Sequence, residues 1–163
     1  NIGFVGTRLM TPSIDDRFFG YLKALMERGI KYRADWIIDD RDNIYGKMNY
    51  DRQFILPKEI PTAFFCNCDK AASLIIRKLE EAGYSVPGDV SVVGFDNFEY
   101  DQEADIGITT YEINIGEMAK RAVHIMLHKM QNALYSAGVF SIQGKIIERE
   151  SVKKIGKSVP YAK

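Results

Sequence analysis

Runs of apolar residues alternate along the chain with segments whose apolar positions recur at helical spacing. Ile2 to Val5 is a short apolar run closed by Gly6 and predicts a buried strand. Thr11-Pro12-Ser13 then marks a helix start, with Thr11 as N-cap and Pro12 in the first helical position. Ile14, Phe18, Tyr21, Leu22 and Leu25 follow at helical spacing, and Gly29 supplies a left-handed stop. A second strand is predicted over 34–38. The scattered apolar positions over 47–56 suggest a short helix stopped by Pro57. Thr62 to Cys66 reads as a third strand. Asp69 opens a helix with Ala72, Ile75, Ile76 and Leu79 on one face and Gly83 as its stop.

Val90 to Phe95 is a fourth strand, nearly all apolar. A loop is expected over 97–108 and a fifth strand over 109–113. Asn114 with Glu117 three residues later resembles a capping box, opening a helix to about Asn132. That helix is apolar over more than one stripe, so it needs partners on two sides. A loop over 136–144 and a last strand over 145–148 precede a polar tail from Lys153. Continuous apolar strands alternating with helices specify an α/β fold: an open, parallel, doubly wound sheet covered on both faces.

The bulk numbers narrow the function. At 163 residues the chain is about one domain. Lys+Arg and Asp+Glu number 22 each, so the chain carries no net pull on a polyanion and is a poor nucleic-acid binder by itself. No apolar run approaches the ~18 residues of a membrane helix. The chain opens on a strand without an initiator Met, which leads us to expect a piece of a longer protein. Cys66 and Cys68 lack further ligands for a metal site and read as reduced thiols of a cytosolic protein.

Ligands of open parallel sheets bind outside the carboxyl ends of the strands. Those ends carry Asp39, Asp40, Asp42, Asn67, Asp69, Asp96 and Asn97. Carboxylates and amides suit hydroxyl groups and repel phosphates, so a polyol is expected over a nucleotide. Asp69, at a helix start, reads as a capping residue. Asp96, with no immediate helix to cap, reads as functional. Arg17, beside Phe18-Phe19, is either a surface arginine or a fork leaning into the cleft. Gly3-Phe4-Val5-Gly6-Thr7 does not make a dinucleotide fingerprint, and Gly46-Lys47 lacks the upstream P-loop glycine. His124 and His128 are four apart, but Ile125 stands where a zinc protease needs Glu, so no metal is expected. No nucleophile elbow is present, so no catalytic residues and no cofactor are expected.

Three stretches resemble the lactose/galactose-repressor family of bacterial transcription regulators. They are Pro61-Thr62-Ala63 through Asn67-Cys68-Asp69 to Ala72, Glu81-Ala82-Gly83-Tyr84-Ser85-Val86-Pro87-Gly88-Asp89-Val90-Ser91-Val92-Val93-Gly94-Phe95-Asp96-Asn97, and Ile108-Thr109-Thr110-Tyr111 followed by Gly116-Glu117-Met118-Ala119. The ending Glu148-Arg149-Glu150-Ser151 fits as well. The resemblance implies a periplasmic-binding-protein-like fold, of which residues 1–163 form the C-terminal effector-binding and dimerisation lobe. A helix-turn-helix domain and most of the N-terminal lobe would lie outside this chain.

The resemblance places Arg17 and Asp96 on effector-contacting positions. It puts Cys68, rather than the family's usual Asn, before Asp69, with Asn67 one position early. Tyr45 is a candidate stacking aromatic. Further implications are a sugar or related polar effector, operator DNA bound through the other domain, a homodimer using the helix from Asp69 and the loop 97–108, and a cytoplasmic location. The helix 114–132 would pack on the other lobe. The alternatives are an exported solute-binding protein of a sugar transporter, which shares the fold, and an enzyme on a flavodoxin-like sheet.

Overall fold

The computed structural model describes residues 1–42, 44–50, 52–98 and 105–154. Its elements are β1 (Ile2–Val5), α1 (Pro12–Glu27), β2 (Ile37–Ile38), β3 (Ala63–Cys66), α2 (Asp69–Glu81), β4 (Ser91–Val93), β5 (Thr110–Glu112), α3 (Ile115–Gln131) and β6 (Lys145–Ile147). Strands β2-β1-β3-β4 form one parallel sheet in that order, with Phe4 opposite Phe65 and Phe64 opposite Val92. Beyond β4 the chain keeps pairing in parallel: Gly94 N–H donates to Thr109 O at 2.8 Å and Asp96 N–H to Tyr111 O at 3.0 Å. β5 then pairs antiparallel with β6, the return of the chain.

The two faces of the sheet explain its strands. Phe4 and Phe65 face α1, where Phe18, Tyr21 and Leu25 cover them. Val5, Phe64, Cys66 and Val92 face α2 and meet Ala72, Ile75, Ile76 and Leu79. Both alternating sets are buried, so the strands read as continuous apolar runs; each fully buried large side chain contributes roughly 1.5–3 kcal/mol. This is the doubly wound arrangement expected from the sequence.

Helix boundaries follow local chemistry. Thr11 Oγ1 accepts from Ile14 N–H, and Pro12 fills the first turn of α1. Gly29, at φ +62°, lets the Ile30 N–H turn back to Leu25 O. Asn114 Oδ1 accepts from Glu117 N–H and starts α3.

Three expectations are corrected. Residues 34–38 are not one strand: Ala34–Trp36 is a 3₁₀ turn and only Ile37–Ile38 is strand. Trp36 is buried, donates its indole N–H to Glu59 O at 2.9 Å and lies under the Arg33 guanidinium. These contacts reach across the chain and bend it before the strand. The described residues of 47–56 form turns rather than a helix. Phe54 is buried there, and the Tyr50 ring packs on Arg77 and Lys78 of α2. Asp69, expected to cap, is the first residue of α2 behind Cys68. Its carboxylate instead accepts from Thr110 Oγ1 at 2.6 Å and Phe98 N–H at 3.0 Å. Residues 99–104 of the expected contact loop and 155–163 of the tail lie outside the described residues.

α3 buries no residue. Ile115, Met118, Val123, Met126, Leu127 and Met130 are all exposed, in line with the wide apolar surface that its sequence predicts.

Candidate functional site

The carboxyl ends of β1 and β3, the first turns of α1 and α2, and the segment after β4 surround an open cleft of about 540 Å³. Arg17 projects into it from the second turn of α1. Its Nη1 donates to Asn67 O at 2.6 Å, its Nη2 to Asp96 Oδ1 at 3.1 Å, and its guanidinium lies 4.0 Å from the centre of the Phe95 ring. Three contacts from two strand ends therefore fix one planar fork. The Arg17 and Asp96 side chains are each 20% exposed. Both face the cleft.

Asp96 stands at φ +102° and Asn97 at φ +51°. A non-glycine residue in that region carries strain, and such residues concentrate where surrounding structure holds a side chain for a task. The holding groups are visible. Asp96 N–H is bound to Tyr111 O, and Asn97 Nδ2 donates to Glu112 Oε1 at 2.9 Å while its Oδ1 accepts from Arg149. Burial raises the Asp96 carboxyl above its ordinary value; Arg17 pulls it back down and Asp69 pushes it further up. Burial raises Asp69 in the same way, against the lowering effect of its bond from Thr110.

Other candidates fall into place around this pair. Asn67 is fully buried and lines the cleft; neither its Oδ1 nor its Nδ2 has a partner among the described residues. Cys68 also lines the cleft, 7% exposed, with its thiol raised by burial. Tyr45 is 78% exposed and is not among the cleft-lining residues. Its N–H, with those of Ile44 and Lys47, is held by the Asp42 carboxylate in a tight turn. The structure therefore brings Arg17, Asp96, Asn67 and Cys68 together and leaves Tyr45 outside.

One acid of the expected polar edge, Asp40, is structural. Asp40 is fully buried and accepts from Thr7 N–H at 2.8 Å. Thr7 Oγ1 in turn accepts from Asp40 N–H and Arg41 N–H. What the strand-end argument missed is the opposite charge: Arg41, Lys47 and Lys70 also line the cleft. Arg41 and Lys47 flank the acidic run that drew attention, and Lys70 follows a residue read as a cap. The His124 and His128 rings lie 4.4 Å apart on α3, and no group of three or more metal-ligating side chains occurs among the described residues.

A family model described as a periplasmic binding protein-like domain matches residues 1–152. The chain belongs to this family. Among curated relatives, it is 31% identical over 140 residues to the HTH-type transcriptional repressor PurR of Photobacterium profundum, covering 86% of this chain and 42% of that protein. The PurR of Aliivibrio salmonicida is 27% identical over 154 residues, covering 94% of this chain and 46% of that protein. The chain thus spans less than half the length of these relatives. Among solved structures, a transcriptional regulator CelR–cellobiose complex superposes with a TM-score of 0.77 at 20% identity, over 92% of this chain and 46% of the other. A LacI-type transcription regulator from Bifidobacterium animalis superposes with a TM-score of 0.74 at 25% identity, over 93% and 58%. The resemblance to the effector-binding domain of the lactose/galactose-repressor family, drawn from motifs, thus agrees with relatives and fold alike.

Proposed function

We propose that this chain is the C-terminal effector-binding lobe of a LacI-type transcriptional repressor, and that Arg17 and Asp96 contact a small polar effector in the cleft. The observation that carries this reading is the Arg17–Asp96 pair, held by Phe95 and Asn67 O at the carboxyl edge of a parallel sheet and facing an open, polar cleft. Arg17 offers a planar fork of donors and Asp96 a set of acceptors. Together they suit adjacent hydroxyl, amide or ring-nitrogen groups. Asn67 and Cys68 complete the wall. The relatives carry the name of repressors, which supports a regulator over an enzyme and over a transporter's solute-binding protein.

In this reading the cleft is half a site. The effector bridges two lobes and favours one relative orientation, and that bias is passed to operator affinity. Operator DNA is bound through a domain outside this chain, in the cytoplasm, by a homodimer. No helix among the described residues is long and apolar enough to cross a membrane.

A thermal-shift screen of sugars and nucleosides on the full-length protein tests the proposal, because a ligand that binds the folded state raises its apparent stability. In the Asp96→Ala variant the responding ligand should bind roughly ten- to a hundredfold more weakly, the loss of a hydrogen bond to a charged group. Operator binding without effector should be unchanged. A variant that responds to effector as the parent does overturns the site assignment.

A further inference from the structure

Asp96 lines the cleft, but the side chains that hold the turn after it do not. Asn97, Glu112 and Arg149 are not among the cleft-lining residues. The Asn97 amide is used at both ends. Its Nδ2 donates to Glu112 Oε1 at 2.9 Å, and its Oδ1 accepts from Arg149 Nη2 at 2.7 Å.

Each anchor of this clasp is itself fixed. Arg149 lies two residues beyond β6. Its N–H donates to Thr109 Oγ1 at 2.9 Å, that hydroxyl donates back to Arg149 O at 3.0 Å, and Arg149 Nη1 donates to Ile108 O at 2.7 Å. Ser151, fully buried, ties the same stretch to β4. Its Oγ donates to Val92 O at 2.6 Å and accepts from Thr109 N–H at 2.8 Å. Glu112, the last residue of β5, pairs with Lys145 of β6 at 2.9 Å. The Arg149 guanidinium is therefore a planar fork on a stitched backbone, reaching a residue 52 positions away in sequence.

The clasp acts on a strained turn. Asp96 stands at φ +102° and Asn97 at φ +51°, a region that asparagine tolerates better than most residues. Such backbone persists only where its surroundings over-determine it. Asp96 N–H on Tyr111 O and Phe98 N–H on Asp69 Oδ2 hold the main chain on either side. Asn97 holds the middle through its side chain. The same turn sets where the Asp96 carboxylate meets Arg17, 3.1 Å away.

We infer that Asn97 and Arg149 are positioning residues for the cleft: Arg149, acting through the Asn97 amide, sets the pose in which Asp96 meets Arg17 and the effector. The inference rests on the effector-binding reading above and deepens it. Neither residue touches the ligand, so the stretch after β6 shapes the site without lining it. The clasp has a specific chemistry. Asn97→Asp keeps an acceptor for Arg149 but sets two carboxylates against each other at Glu112. Adding Glu112→Gln restores a donor there.

The test crosses clasp variants with Arg17→Met in the full-length protein and reads the melting temperature. Asn97→Gly removes both amide bonds while suiting the left-handed backbone, and Arg149→Met removes the fork. In either background the loss caused by Arg17→Met should shrink by at least about a third, because the partner it removes is already displaced. It should shrink likewise in Asn97→Asp and recover in Asn97→Asp/Glu112→Gln. The same variants crossed with Trp36→Phe, beside β2 at the opposite edge of the sheet, should give simply additive losses. A merely structural role makes every cross additive. Additivity with Arg17→Met overturns the inference, and so does a coupling that Glu112→Gln fails to restore or one equally large with Trp36→Phe. With glucose, ribose and inosine as probes, any that binds the parent should bind Arg149→Met at least about fivefold more weakly, and unchanged binding overturns the inference. Silence of all three probes beside an intact coupling counts against the effector reading and leaves the positioning of Asp96 standing.

Discussion

Replacing Arg17 by Met keeps the aliphatic stem and removes the fork. Three contacts disappear: the bonds to Asn67 O and Asp96 Oδ1 and the stack on Phe95. A hydrogen bond to a charged group contributes about 1.5–3 kcal/mol and an exposed cation–π contact roughly 0.5–1 kcal/mol. Because the pair is open to solvent on one side, screening reduces the sum to about 2–3 kcal/mol. For a chain of this size that lowers the melting temperature by roughly 5–10 °C.

The pH dependence has a definite sign. Burial already raises Asp96 in the folded state, and Arg17 opposes that rise. Without Arg17 the folded value rises further. A carboxyl raised on folding contributes its stability fully below its unfolded value, near 3.9, and loses it as pH climbs through the folded value. The cost of Arg17→Met should therefore be largest at pH 7.5 and shrink towards pH 4.5. In an Asp96→Asn background, that dependence should vanish. Urea unfolding of the four proteins at both pH values measures it. A cost below about 0.5 kcal/mol, or one equal at the two pH values, would refute the reasoning.

Two further predictions concern the scaffold of the cleft. Thr7→Val removes a hydroxyl that accepts from Asp40 and Arg41 N–H and donates to Arg41 O, so it should cost about 2–4 kcal/mol by thermal unfolding; a change under 0.5 kcal/mol would contradict the network. Gly94→Ala places a Cβ against Asp69 Oδ1 and should cost about 2–4 kcal/mol; the Gly94→Ala/Asp69→Ala double variant should lose clearly less than the two singles added, and simple additivity would show that the clash is not the cause.

Much of this was legible in the sequence where local chemistry and periodicity agree. Thr11-Pro12 placed the start of α1, and Asn114 with Glu117 placed the start of α3. The runs read at 2–5, 62–66 and 90–95 contain the parallel strands β1, β3 and β4. Motif resemblance placed Arg17 and Asp96, though residues 79 apart in sequence meet only through the fold. The failures share a cause. Trp36, Tyr50 and Phe54 are placed by partners far along the chain, so no helix or strand period governs 34–36 or 47–56. Asp69 had the position of a cap, but the bonds from Thr110 and Phe98 claim its carboxylate. The charge of the cleft was misjudged because a list of strand-end acids says nothing about which ones the fold buries.

The two cysteines have a practical side. Burial raises both thiols, Cys66 beneath the sheet and Cys68 at the cleft wall. The thiolate is the form that attacks thiol reagents, so both react slowly at neutral pH. A cysteine introduced at fully open Leu134, beyond α3, would outrun them. A fluorophore can thus be attached there without first removing the native pair, and any residual labelling at Cys68 would slow whenever the cleft is filled.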